Sequence, residues 1–507
     1  MTPSPPAAAR PQSAAPPGAA VTTVGGVVGR GLALLGVEAT YGRPLAGLAV
    51  AVADDPAVAG LLAEAHLLVH RSRCAVHAGD GTLTVLDRRA ALTPGVLPLR
   101  PAPAGVTAPA PLVVEDTGGL VDCLPALAER LAADGVAALR LALDPAAPAP
   151  GLRLTRPEAV DRWVAPGPDA VAHLDAARAP AVLVGPGVAE PSLVPGLHAL
   201  AAAGGFGVLN TWGAKGVFDW RSRHHLATVG LQAADLTRGG LADADLLVAA
   251  GLDPREVPGG GWDGCPVVTL APGALGPAAE ALAPGRGRAV PEVPPLRPDL
   301  ARVTQEGWTA VAGPLPPSRV TLAYSRALGA GGLVAADPGT AGFWVARTFP
   351  TTALGGAVVP ARAGAHGLAA ACVAVARRAR PGRPALAVVD AGDAPDAGGA
   401  GDVGAPAGRD AAEATAAVVE AAARWGVALP VEQWAPDGPG LGAEEHAARL
   451  DDLLAAGVAA GAPARVAAAD VRTDGRQMAH MVEVAGPVVA WTYEPAAAGP
   501  AEGEGSR

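Results

Sequence analysis

At 507 residues with half of them hydrophobic, the chain is long enough for about three domains of ~150 residues. Charged residues are 17% and aromatic residues 3%, so the cores must be built from Ala, Val and Leu, while 67 Gly and 52 Pro stay below the roughly 25–30% share at which low-complexity disorder becomes the default. A net charge of −10 without any run of Arg argues against nucleic acid as a partner. No stretch reaches the ~18 apolar residues of a membrane span, so no membrane partner is expected.

Residues 1–20 and 495–507 are Ala/Pro/Gly/Glu-rich and read as disordered tails. The N-terminal stretch has no compact apolar core of a signal peptide, which predicts a cytoplasmic protein. The first block, 21–150, begins with a helix over Gly26–Leu35, a strand over His66–His70, a helix over Asp122–Asp134 and a strand over Ala137–Leu143.

A Pro/Gly-rich link at Pro145–Gly151 opens a central block, 151–290. It carries a helix at Asp169–Ala177, a strand at Ala181–Gly185, a helix at Leu193–Ala203, then strands at Gly207–Asn210, Ala244–Gly251 and Pro266–Leu270. A second Pro-rich link, Val290–Pro298, leads to a third block, 299–494. There the strands are Gly332–Asp337, Ala385–Asp390, Val427–Trp434 and Ala464–Ala469, and the helices are Ala365–Arg380 and Ala411–Trp425. Strands separated by helix-length segments predict parallel crossovers, hence three doubly wound α/β sheets.

The generic motifs are weak. Gly185-Pro-Gly187-Val-Ala-Glu190 follows a strand as a dinucleotide fingerprint would, but Glu190 stands at its third glycine position. Lys215, the only lysine, has no Walker loop around it, and no Gly-x-Ser-x-Gly elbow occurs. Cys74, Cys123, Cys265 and Cys372 are far apart, with no Cys-x-x-Cys, and read as small buried hydrophobes. His66, His70, Cys74 and His77 lack a carboxylate or second thiolate to complete a zinc set, and His224-His225 reads as a loop or surface pair. Asp390, Asp393, Asp396 and Asp402 follow an apolar strand, where a solvated loop and a Mg²⁺ or Ca²⁺ site are both open readings.

Taken together, the order of blocks resembles the thiamine diphosphate-dependent enzymes of the acetolactate synthase and 2-oxo acid decarboxylase class. The central block carries the resemblance best, through Pro180–Gly187, Gly207–Gly216 with its Lys215-Gly216, Val229–Gln232 and Ala244–Gly251. The third block resembles the family's diphosphate-binding domain. Asp337-Pro-Gly339 is followed by Trp344, Gly364-Ala-His-Gly367 opens an Ala-rich helix, and Gly392-Asp393-Ala394 stands at the family's Gly-Asp-Gly.

The resemblance implies thiamine diphosphate and Mg²⁺ as cofactors, flavin not being expected. It places Gly339, Thr340, Gly364, His366, Gly367, Gly392, Asp393 and Ala394 beside the cofactor and Asp393 on the metal. The family's second metal ligand is an Asn, but the only asparagine is Asn210, so Asp437 stands in as the oxygen ligand.

The first block departs furthest and is shortened. Aligned through His70 or through Asp80-Gly81, the family's activating Glu falls on Arg71 or Ser72, which leaves the catalytic residue unassigned. The implied function is 2-oxo acid decarboxylation or carboligation by a homodimer or homotetramer. The alternative is a catalytically inactive homologue acting as scaffold or regulatory subunit, and a lesser one is nucleotide or flavin binding by the central domain.

Overall fold

The computed structural model describes residues 23–92, 110–149, 152, 154–157, 165–257, 262, 264–282, 293–391, 407–456 and 466–492. Both expected tails lie outside these residues. Three sheets organise the rest, of six, five and five strands.

The first block begins with α1 (Val24–Leu34), capped by the Thr23 hydroxyl, which accepts from Gly26 N at 3.2 Å. It continues through β1 (Val37–Gly42), β2 (Ala51–Val52), α2 (Pro56–Val69), β3 (Arg73–His77), β4 (Thr82–Leu86), α3 (Arg88–Leu92), β5 (Leu112–Val114), α4 (Gly119–Asp134) and β6 (Val136–Leu141). Here the expected strand at His66–His70 is the last turn of α2. Asp55 caps this helix through Ala57 N at 2.8 Å and Pro56 occupies its first turn, both ordinary start signals.

The strand order is β2-β1-β3-β4-β6-β5, and β4 runs antiparallel to both neighbours, unlike the all-parallel sheet expected. The cause is local. Ala78-Gly-Asp-Gly81 turns the chain straight back, with Gly79 and Gly81 at positive φ and Asp80 accepting from Thr82 N. Asp80-Gly81 is therefore a hairpin turn.

The central block contains α5 (Pro168–Ala176), β7 (Pro180–Val184), α6 (Val194–Gly204), β8 (Gly207–Thr211), β9 (His225–Val229), α7 (Asp235–Arg238), β10 (Leu246–Ala250), β11 (Val267–Leu270) and α8 (Leu275–Ala281). His225, expected in a loop, begins β9. All pairs are parallel in the order β11-β10-β7-β8-β9. Strand order reverses between β7 and β10, the crevice of a doubly wound sheet.

The third block runs α9 (Leu296–Trp308), α10 (Pro317–Leu328), β12 (Leu333–Ala336), α11 (Thr340–Thr348), β13 (Ala357–Val358), α12 (Leu368–Ala379), β14 (Ala385–Asp390), α13 (Ala407–Arg424), β15 (Leu429–Trp434), α14 (Ala443–Ala456), β16 (Val466–Val471) and α15 (Arg476–Ala485). Its sheet, β13-β12-β14-β15-β16, is parallel throughout and reverses order between β12 and β14. Ala385–Val389 is buried on both faces, as the central strand of a sheet covered by helices must be.

The blocks share cores. Leu62, Ala63 and Leu67 of α2 pack into one cluster with Ala369–Ala376 of α12, whose small side chains allow a close approach. The central and third blocks meet at Arg347 and Asp235, whose side chains are each 1% exposed and 2.8 Å apart. They meet again at Gly216, where a Cβ would lie 2.3 Å from Ala353 O.

Candidate functional site

In the third block, the reversal of strand order opens a crevice at the carboxyl ends of β12 and β14, and one aspartate stands at each end. Asp337 follows β12 and accepts from Gly367 N and Ala369 N, both at 2.7 Å, at the start of α12. Asp390 ends β14 and accepts from Ala341 N at 3.1 Å, at the start of α11. Each carboxyl thus faces the partial positive charge of a helix N-terminus. Burial nevertheless pushes both up to about 7, the neighbouring Asp390 adding to the rise at Asp337.

The sequence expectations converge here. Gly339 has φ 133, and a Cβ on it would lie 2.3 Å from Asp390 Oδ2, so only glycine lets the turn pass this carboxyl. Thr340 opens α11, Gly364 is exposed with open space around it, and His366 is half-buried beside Gly367. Gly339 and Thr340 thus lie against Asp390 and Gly367 against Asp337, with Gly364 and His366 in the turn that leads to Gly367. Gly392, Asp393 and Ala394 lie outside the described residues. Asp437 is exposed beyond β15, on the same edge, since Ala391 N donates to Trp434 O at 2.8 Å. Among the described residues, Asp437 makes no hydrogen bond or ion pair, and no group of three or more His, Cys, Asp or Glu side chains is placed to hold a metal.

These residues fit a diphosphate in one mode. N–H groups at the starts of α11 and α12 already donate to Asp390 and Asp337, so a bare diphosphate would meet carboxyl oxygens where it needs donors. A divalent cation reverses that, because hard cations take carboxylate and phosphate oxygens together. The crevice fits a diphosphate that arrives with its cation.

In the first block, Arg71 and Ser72 lie at the amino end of β3, between α2 and the strand. Open α/β sheets hold ligands at the opposite, carboxyl edge. Ser72 Oγ donates to Glu38 Oε2 at 2.7 Å and meets His66 Nε2 at 3.0 Å, and Tyr41 OH meets His66 Nδ1 at 2.9 Å. Burial, with His70 beside it, lowers His66 to about 3, so its ring is neutral within this chain of hydrogen bonds.

The acidic pair at the carboxyl edge is instead Asp54 and Asp55, directly after β2. Asp55 caps α2 and exposed Asp54 lies 3.3 Å from Arg424. Sequence reasoning passed over them although Asp-Pro before an apolar run is a helix-start signal.

The central turn is closed. A Cβ on Gly185 or Gly187 would lie 2.4 or 2.7 Å from the backbone around Gly251, and Gly187 N donates to Gly251 O at 2.8 Å. These glycines serve strand-to-loop packing rather than a phosphate cradle.

Residues 168–266 match the family model of the thiamine pyrophosphate enzyme central domain. The central block is thus similar to the central domain of thiamine pyrophosphate enzymes. For the chain as a whole, a solved structure from Mycobacterium smegmatis, described as a thiamin diphosphate-dependent enzyme, superposes with a TM-score of 0.59 at 16% identity. The match covers 89% of this chain and 99% of that one, so the two share the three-block α/β architecture. No curated protein sequence matches the chain. Among the described residues, no helix is long and apolar enough to cross a membrane.

Proposed function

We propose that the chain binds thiamine diphosphate with Mg²⁺ in the third-block crevice and acts on a 2-oxo acid by decarboxylation or carboligation. The observation that carries this reading is the pair of carboxyls, Asp337 and Asp390, that cap the starts of α12 and α11 at the point where the third sheet reverses strand order. Asp390 and Asp337 would face the cation, while Thr340 and His366 would flank the diphosphate beside Gly339 and Gly364. When bound, the cofactor supplies a carbanion nucleophile and an electron sink.

The chain's own residues orient that group and exclude water around it. Asp337 fixes the start of α12 and Asp390 the start of α11, so both helix N-termini hold their positions whether or not a ligand is present. A proton acceptor from a first block would have to come from its carboxyl edge, where Asp54 and Asp55 stand. The reading includes a homo-oligomer in which one copy's first block covers another copy's third block.

A second reading, a non-catalytic homologue with scaffold or regulatory role, is favoured by Arg71 and Ser72. Neither is a carboxylic acid, and both lie on the amino edge of their sheet. Calorimetric titration with thiamine diphosphate, with and without Mg²⁺, separates the two. Metal-dependent micromolar binding followed by turnover in a 2-oxo acid screen supports the enzyme; no binding at millimolar cofactor leaves the scaffold.

A further inference from the structure

Where the three blocks meet, a cavity of about 30 Å³ lies at the carboxyl edge of the central sheet. That is room for one or two waters. Its lining includes six ionisable side chains: Glu64 and Arg71 from the α2 region, Arg88 from α3, and Asp253, Arg255 and Glu256 after β10. The Val358–Ala361 segment of the third block closes it.

All but one of these groups have partners. Glu64 Oε2 accepts from Arg362 at 2.6 Å. Arg255 Nε donates to Asp253 Oδ1 at 2.9 Å, and its Nη2 also reaches Ala91 O at 2.7 Å. Arg88 donates to Ala189 O at 2.7 Å and to Pro186 O. Glu256 accepts from the Thr211 hydroxyl, and burial with nearby Asp253 pushes it up to about 8, so at neutral pH it is largely uncharged.

Arg71 is the exception. Its Nε is buried without an acceptor, and among the described residues its guanidinium forms no hydrogen bond or ion pair. Its backbone has φ 57, a left-handed conformation that a bulky non-glycine side chain rarely adopts. That unfavourable conformation holds a cation at the cavity wall that, among the described residues, feels the Glu190 carboxylate but has no hydrogen-bonded counter-ion. Burial and the positive charges of Arg88 and Arg383 lower its pKa to about 9, and the Glu190 carboxylate offsets only part of that.

We propose that this cavity is a binding site for a small carboxylate, with Arg71 as the anchoring cation. The planar fork of a guanidinium matches a carboxylate with two parallel hydrogen bonds. The protonated Glu256 offers an O–H donor in the same cavity, and a carboxylate group is about the size of the two waters it would displace. The site lies outside the third-block crevice and does not depend on cofactor binding there.

The test uses the full chain without thiamine diphosphate and acetate as the probe, with chloride at equal ionic strength as control. Calorimetry should show saturable acetate binding that falls about tenfold or more in Arg71→Met, the loss expected for one charge-assisted hydrogen-bonded contact. Phenylglyoxal labelling of the wild type, read by mass spectrometry at Arg71, needs no variant and should be suppressed by acetate but not by chloride. Acetate binding that persists unchanged in Arg71→Met overturns the proposal. So does Arg71 labelling indifferent to acetate, and so does binding of inorganic phosphate without binding of acetate.

Discussion

Arg347 of the third block and Asp235 of the central block form a wholly enclosed ion pair in which both Asp235 oxygens and both terminal nitrogens of Arg347 are hydrogen-bonded, while Arg347 Nε has no partner among the described residues. Arg347 Nη2 lies 2.8 Å from both Asp235 oxygens and Nη1 donates to Thr228 O, while Leu231 N and Gln232 N, each at 2.9 Å, donate to Asp235 Oδ2. Removing one partner leaves the other charge buried without compensation. Arg347→Met should cost about 3–5 kcal/mol in urea unfolding, and adding Asp235→Leu should recover part of that loss. A single variant as stable as the wild type would show that the joint is not held by this pair.

Cation affinity at the crevice should depend on pH with a defined sign. Asp337 and Asp390 are raised from the ordinary 3.8 to about 7. The folded chain therefore holds these protons more tightly than the unfolded chain. Their contribution to stability is fully present below about pH 3.8 and is lost as pH rises through about 7. A divalent cation must displace the same protons, so Mg²⁺-dependent binding of thiamine diphosphate should strengthen by about tenfold per pH unit for each proton displaced, up to about a hundredfold for both, on approaching 7 and level off above it. Titration calorimetry across this range checks it, and Asp390→Asn should flatten the profile.

Placing a carboxylate at the amino edge of the first sheet should not create activity. Arg71→Glu and Ser72→Glu are each expected to give no gain in 2-oxo acid turnover. If the protein turns over at all, Asp54→Asn or Asp55→Asn should lower its rate. A gain from either glutamate would return the acid to the α2–β3 turn.

That expectation reflects what was legible in the chain. Apolar strands followed by an aspartate or glycine, such as Ala385–Asp390 and Ala181–Gly185, were readable because parallel strands buried on both faces are continuous apolar runs. His66–His70 was not, because a short apolar run such as Leu67-Leu-Val69 has the same composition in a buried helix as in a strand. With His66–Val69 in α2, the positions aligned through His70 or Asp80-Gly81 fall at the start of β3. Gly339, Thr340, Gly364, His366 and Gly367 are singled out by the resemblance alone, not by any pattern in their spacing. Asp337 and Asp390 are legible as polar ends of apolar strands, but their pairing across the crevice is visible only once the helix N-termini they cap are in place.

Gly216→Ala should be costly for a reason separate from burial. The residue has φ 89, and the added carbon would lie 2.3 Å from the carbonyl oxygen of Ala353. Strain at such a position is worth about 1–3 kcal/mol, and here the backbone of the third block must also retreat. Urea unfolding should show the loss, with the far-UV spectrum of the folded state unchanged.

The packing of α2 against α12 also sets a timetable for synthesis. Leu62 and Leu67 leave the ribosome about 300 residues before Ala369–Ala376, their permanent neighbours. At roughly 5–20 residues per second, the apolar face of α2 stays without its native cover for about 15–60 seconds. During that interval the first block is an incomplete body that a chaperone could hold or a second nascent chain could capture. Synonymous changes that slow translation between the two helices should therefore lower soluble yield without altering the finished protein.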